Sequence, residues 1–152
     1  MTTGDNRLYF NCMTPYEFIE HTADIAVKAT GETLEQAFEA AAEGMFAIIT
    51  DSAHIIPEKT IVRAIDSIDL EGLLVTFLSE LILISETENV VLTGFKVTLT
   101  GERSLRFKAG AEPFSNDRHG SGTPVKGVSY HMMEISPPMD GKPACVRVLF
   151  DI

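Results

Sequence analysis

Carboxylate groups at two distant places in the sequence could bind one cation together. Asp24 closes the run Glu20-His21-Thr22-Ala23-Asp24, which lies between two strand-like segments, and Asp151 directly precedes Ile152. Two carboxylates at the end of a final strand, the Asp151 side chain and the terminal group of Ile152, repel unless a cation or hydrogen-bond donors balance them. Together with Asp24 they form an oxygen-only set, which suits Ca²⁺, Mg²⁺ or Mn²⁺ better than Zn²⁺.

Both places also have an ordinary structural interpretation. Thr22 and Asp24 can bond their own backbone in a turn, and spacing alone favours that turn over a functional site. Chain ends are commonly frayed and solvated. Against this, the segment before Asp151 is apolar up to its last residue, which predicts a buried end.

Two histidines could serve in proton transfer if an acid lies beside them. His119 lies in a loop and His131 on a predicted strand, where a histidine more often has a structural role. The same half of the chain contains the locally basic residues Arg103, Arg106, Lys108, Arg118 and Lys126. These residues are either solvated charges or a docking patch for an acidic partner or a phosphate-bearing substrate.

Composition limits the classes of function. The 152 residues are 45% hydrophobic, which fits one globular domain, and 22 acidic against 12 basic residues give a formal charge of −10. Such a chain repels phosphate backbones, so strong direct nucleic-acid binding is not expected. Cys12 and Cys145 are too far apart for a zinc motif, and reduced thiols fit a cytoplasmic protein. No secretory leader or membrane-spanning segment is predicted.

The elements that must position these groups follow from hydrophobic periodicity. Thr33 and Gln36 form a capping box before a helix that ends near Asp51, and Asp69 is the predicted N-cap of a second helix that closes within 86–89. Strands are predicted at 16–19, 25–30, 60–68, 95–100, 105–109, 125–135 and 144–151. This order predicts an α+β fold: a single two-layer domain with a mixed, largely antiparallel sheet and both amphipathic helices on one face.

The same periodicity predicts a core and the limits of the domain. The expected core residues are Phe38, Phe46, Leu74, Phe77, Leu81, Phe95, Val97, Phe107, Val146 and Val148. Residues 1–13 are polar and without periodicity, so we expect a dispensable, flexible N-terminal extension before a domain over 14–152. The long loop from Glu112 to Pro124 is expected to be mobile or functional.

Four motifs, in this order, resemble the archease family. They are EHTADI at 20–25, GETLEQAFE at 31–39, VKGVSYH at 125–131 and LFDI at 149–152. Two features depart from the family pattern: Glu20 replaces the usual first Asp, and no Trp lies near Phe77.

The resemblance implies a non-enzymatic accessory protein of the tRNA-splicing RNA ligase, one that promotes guanylylation of the ligase and its multiple turnover. It also implies a possible chaperone-like action on a tRNA methyltransferase. The family's bound divalent cation, often assigned as calcium, maps onto Asp24, Asp151 and Ile152. The residues that we expect to contact the partner or to serve function are His21, His119, Lys126, Tyr130 and His131.

A metal-dependent hydrolase is the alternative, with His21 or His131 as the base beside the cation. No P-loop, dinucleotide fingerprint, nucleophile elbow or HExxH motif supports an enzyme. A hydrolase would also need a deep pocket and an open metal position. We therefore expect an activator rather than an enzyme.

Overall fold

The computed structural model describes residues 15–20, 24–50, 55–120 and 122–152. The predicted N-terminal extension over 1–13 and the candidate His21 lie outside the described residues.

Seven strands and three helices make up the described chain. The strands are β1 (Tyr16–Glu20), β2 (Asp24–Gly31), β3 (Lys59–Asp66), β4 (Val90–Gly101), β5 (Ser104–Pro113), β6 (Gly127–Ser136) and β7 (Ala144–Asp151). The helices are α1 (Leu34–Ile49), α2 (Leu70–Glu88) and the single turn α3 (Asn116–His119). The strands form two sheets: sheet A has the order β1-β2-β7-β6, and sheet B has the order β3-β5-β4.

The predicted α+β class is confirmed, with one correction to its layout. The pairings within the described strands are all antiparallel, but they form two sheets where the sequence predicted one mixed sheet. Helices α1 and α2 each contact strands of both sheets, so they do not cover one face of a single sheet. The reason is physical: alternation reports that a strand has one buried face, but not which strands share a sheet.

The helix ends form as the sequence predicts. The Gln36 N–H donates to Thr33 Oγ1 (3.1 Å), and Gln36 Oε1 accepts from the Glu32 N–H (2.8 Å), one residue before the cap. Asp69 Oδ1 accepts from the Gly72 N–H at 2.7 Å. Both caps satisfy N–H groups that lack partners within the helix.

An aromatic cluster joins both long helices to sheet B. Phe77 of α2 is stacked on Phe38 of α1, with ring centroids 6.3 Å apart, and meets Phe107 of β5 edge-on at 5.2 Å. All ten predicted core residues are buried. The core therefore lies where the helices meet the sheets.

Candidate functional site

Antiparallel pairing in sheet A brings the two predicted carboxylate positions together. Asp24, the first residue of β2, is directly opposite Asp151, the last residue of β7. Gly127, the first residue of β6, pairs with Asp151 from the other side. Residues directly opposite each other on antiparallel strands have Cβ atoms about 5 Å apart. Asp24 and Asp151, called here the carboxylate pair, thus face each other at one end of sheet A.

The backbone around the carboxylate pair is held firmly. The Lys126 N–H donates to the Asp151 carbonyl at 2.7 Å, which continues the β6–β7 ladder by one residue. A Cβ atom on Gly127 would lie 3.7 Å from Asp151 Oδ2, so the Asp151 carboxylate lies beside β6. Ile152 is partly buried against the core. Asp24, Lys126, Asp151 and Ile152 are therefore neighbours, although Asp24 is far from the other three in sequence.

One oxygen of the Asp24 carboxylate is buried without a hydrogen bond to the described part of the chain. Its Oδ1 atom is buried and has no hydrogen-bond partner among the described protein atoms. A buried carboxylate oxygen is costly unless a donor or a cation compensates it, and the neighbouring Asp151 adds repulsion. Two carboxylates side by side have the chemistry that hard divalent cations prefer.

The two side chains of the carboxylate pair are too few to form a metal site by themselves. Within residues 15–20, 24–50, 55–120 and 122–152, no group of three or more His, Cys, Asp or Glu side chains lies close enough to hold a metal ion. A third protein ligand among these residues would then be a main-chain oxygen or the oxygen of a neutral polar side chain.

The predicted contact residues Tyr130 and His131 lie on an irregularity of β6. Ser129 pairs with Leu149 and Glu134 with Arg147, so the four residues 130–133, called here the β6 bulge, face the single residue Val148. Tyr130 is 59% exposed and His131 is also exposed. The His131 N–H donates to Ser129 Oγ at 3.0 Å. A bulge displaces side chains from the sheet surface, so it presents Tyr130 and His131 to solvent.

His119 belongs to a different, buried cluster. Its Nδ1 accepts from the Ser115 N–H at 3.0 Å, which assigns the ring proton to Nε2, where it donates to Glu112 Oε1 at 3.1 Å. The ring is 1% exposed and lines a cavity of about 270 Å³. Because both ring nitrogens have partners within the protein, His119 has none left for proton transfer to a substrate.

Glu112 is the residue of this cluster that was not among the predicted site residues. Its carboxylate accepts from the Ile56 N–H at 2.9 Å and from Arg118 at 3.0 Å, as well as from His119. Burial alone would raise the pKa of Glu112, but the Ile56 N–H, His119 and Arg118 together lower it below the ordinary value. Glu112 is therefore ionised at neutral pH. The sequence pattern that could have identified Glu112 is an acidic residue seven positions before a histidine, separated from it by a segment that contains Pro and Ser.

The loop after β5 is anchored, which modifies the expectation that it is mobile or functional. The Glu112–His119 contact fixes its first half, and the Thr123 N–H donates to the Ile48 carbonyl at 2.8 Å. Val125 is buried in the core. The loop thereby positions Lys126 and the start of β6 beside the carboxylate pair.

Comparison with known proteins decides the family. The model of the Archease protein family matches residues 16–152. The chain belongs to the archease family. The archease of Pyrococcus furiosus is 38% identical over 133 residues, covering 86% of this chain and 94% of its own. The archease of Methanosarcina acetivorans is 38% identical over 137 residues, covering 88% and 94%.

Two solved structures share this fold. Protein 1598 of Methanobacterium thermoautotrophicum, solved in solution, superposes with a TM-score of 0.76 at 32% identity, covering 92% of this chain and 100% of its own. An archease from Thermotoga maritima, described as a possible chaperone, gives a TM-score of 0.60 at 20% identity, covering 88% and 94%. This second likeness shows the fold alone. In the part of the chain that the structure describes, no helix is long and apolar enough to cross a membrane.

Proposed function

We propose that this archease-family chain is a cytoplasmic accessory protein that activates a tRNA-splicing RNA ligase by promoting its guanylylation and multiple turnover. The observation that carries the proposal is the carboxylate pair at the end of sheet A. Asp24 has a buried oxygen without a partner, whereas Asp151 is exposed. Such a pair is built to hold positive charge where a second protein can reach it.

Under this proposal, Asp24, Asp151 and the carboxylate of Ile152 hold a divalent cation, with calcium the first candidate and Mg²⁺ or Mn²⁺ the others. When bound, the cation supplies positive charge at an exposed edge of the fold. The chain's own residues do the rest: Lys126 fixes Asp151 through its backbone, and the β6 bulge presents Tyr130 and His131 for contact with the ligase. No residue of this chain acts as a catalytic residue.

The hydrolase alternative has weaker support. It needs a general base within hydrogen-bond reach of a substrate at the cation. Of its two candidate bases, His21 lies outside the described residues. His131 is exposed on the β6 bulge rather than in a pocket with the carboxylate pair.

The test is RNA joining with the ligase of the same organism at limiting concentration, with GTP and Mn²⁺ and with or without this protein. We expect many turnovers per ligase only when the protein is present. Asp24→Asn should abolish the activation, because it removes a charged ligand without changing the side-chain shape. Deletion of Ile152 should do the same. Asp140→Asn is the matched control, because Asp140 is an exposed carboxylate in a left-handed turn conformation that Asn also adopts readily.

Equal turnover of the ligase with and without the wild-type protein would contradict the proposal. A tRNA methyltransferase assayed in parallel tests the chaperone-like alternative. Stabilisation of that enzyme, combined with no effect on the ligase, would favour the alternative.

A further inference from the structure

The outer face of sheet B presents three cations on a chain that is strongly acidic overall. Along β5 the residues alternate: Leu105 and Phe107 are buried, while Arg106 and Lys108 are exposed. On β4, Lys96 is also exposed. We call Lys96, Arg106 and Lys108 the basic face.

The pairing register places these charges side by side. Lys96 and Lys108 are directly opposite each other across β4 and β5. Like charges at such positions destabilise a sheet. Arg106 lies two residues along β5 on the same face, about 7 Å from Lys108. The fold therefore holds a concentrated positive patch that its own stability does not favour.

No ion pair within the described part of the chain neutralises a cation of the basic face. Among the described residues, the ion pairs join Lys59 and Arg63 to Glu88, and Arg118 and His119 to Glu112. Asp66 lies on the outward row of β3, but it is opposite Ser104, at the far end of that row. With 22 acidic residues in the chain, this arrangement leaves three cations available for an external anion.

We propose that the basic face is a docking surface for an acidic patch on the protein partner. The proposal rests on the proposed function, in which that partner is the RNA ligase. Apolar surface lies beside the charges: Val62 is 44% exposed and pairs with Lys108, and the exposed Ala64 pairs with Arg106. A flat surface that combines apolar area with unpaired cations complements an acidic protein surface.

Protein fits this face better than RNA does. Sheets that bind single-stranded RNA place aromatic side chains on the exposed face, where bases stack. Here the aromatic residues of β4 and β5, Phe95 and Phe107, are buried in the core. The formal charge of −10 also repels a polyanion at long range.

The experiment measures binding of the purified ligase to the full chain by calorimetry at several salt concentrations. The double variant Lys96→Ala/Lys108→Ala should weaken binding by about tenfold or more and reduce its salt dependence, because two interfacial cations are lost. The matched control is Lys28→Ala/Lys142→Ala, which makes the same change in charge at exposed residues outside sheet B. It should stay within about twofold of wild type, as expected for exposed charges outside the proposed interface. Removing a like-charge pair should not lower the Tm, so misfolding does not confound the result.

The possible outcomes separate the two proposals. If the wild-type protein activates the ligase but the Lys96/Lys108 variant binds as tightly as the control, the docking surface is wrong and the proposed function stands. If the wild-type protein neither binds nor activates the ligase, both are wrong. A 20-nucleotide single-stranded RNA is the third probe: if it binds through Lys96 and Lys108 while ligase affinity is unchanged in the variant, the face is an RNA surface instead.

Discussion

Asp24→Asn should make the protein more stable than wild type without calcium and less stable than wild type with calcium. Without divalent cations, Asp24 and Asp151 repel each other and Asp24 Oδ1 gains no bond in return. At a separation of about 5 Å, two charges repel by about 0.8 kcal/mol at the dielectric constant of water and by about 3 kcal/mol at an effective value of 20. Because Asp151 is exposed, we expect a value near the lower end, about 1 kcal/mol. The variant should be more stable by this amount.

Calcium should reverse that order. A ligand present at one hundred times its Kd stabilises the folded wild-type protein by about 2.7 kcal/mol, whereas a variant that has lost a charged ligand gains much less. The assay is urea denaturation in EDTA and in calcium, with Asp140→Asn as the control for the change in net charge. Equal stabilisation of wild type and Asp24→Asn by calcium would refute the reasoning. So would a loss of stability in the variant in EDTA.

Three further outcomes are expected. Phe77→Ala should lower the free energy of unfolding by about 3–5 kcal/mol, because a buried ring in contact with Phe38 and Phe107 is lost. The control Ile68→Ala, at an 81% exposed position, should change it by less than about 0.5 kcal/mol. Urea denaturation midpoints measure both changes. The pKa of Glu112 is lowered in the folded state, so its contribution to stability is present above the ordinary value of 4.5 and is lost as the pH falls through the folded pKa. Glu112→Gln should therefore make Tm depend less on pH in the acid range. An unchanged pH dependence of Tm would contradict this. Burial, together with the Glu134 and Glu17 charges, raises the pKa of Cys145 despite the opposing effect of Lys28, so in a Cys12→Ser background the thiol should react with iodoacetamide more slowly than free cysteine does at pH 8.

The sequence predicted best what depends on local periodicity. The caps at Thr33 and Asp69 are present, and β7 has the predicted bounds, Ala144–Asp151. Strand β4 begins at Val90, five residues earlier than predicted, because the buried run from Val90 to Leu92 has no alternation. Local patterns also gave no sign of the short helix α3 in the predicted loop.

Features that depend on distant partners were predicted less well. The division into two sheets and the β6 bulge are set by which strand lies beside which, and a single strand's pattern does not contain that information. The burial of His119 depends on Glu112, Ser115 and the packing of the loop. In contrast, the β2–β7 register places Asp24 directly opposite Asp151, two residues that the sequence analysis had grouped; whether they bind a cation stays a prediction.

The position of β7 has a consequence for the order of assembly. β7 follows all the other described strands in the chain, yet it lies in the interior of sheet A, between β2 and β6. Until β7 inserts, β2 has an unpaired edge. Inserting β7 also has an entropic cost, because it closes the long loop between β2 and β7. Asp24 and Asp151 are an end pair of the β2–β7 ladder, so they lie opposite each other only once β7 has paired with β2. A cation bound between them would therefore slow unfolding, which must separate β2 from β7, without changing the folding steps that come before these strands pair.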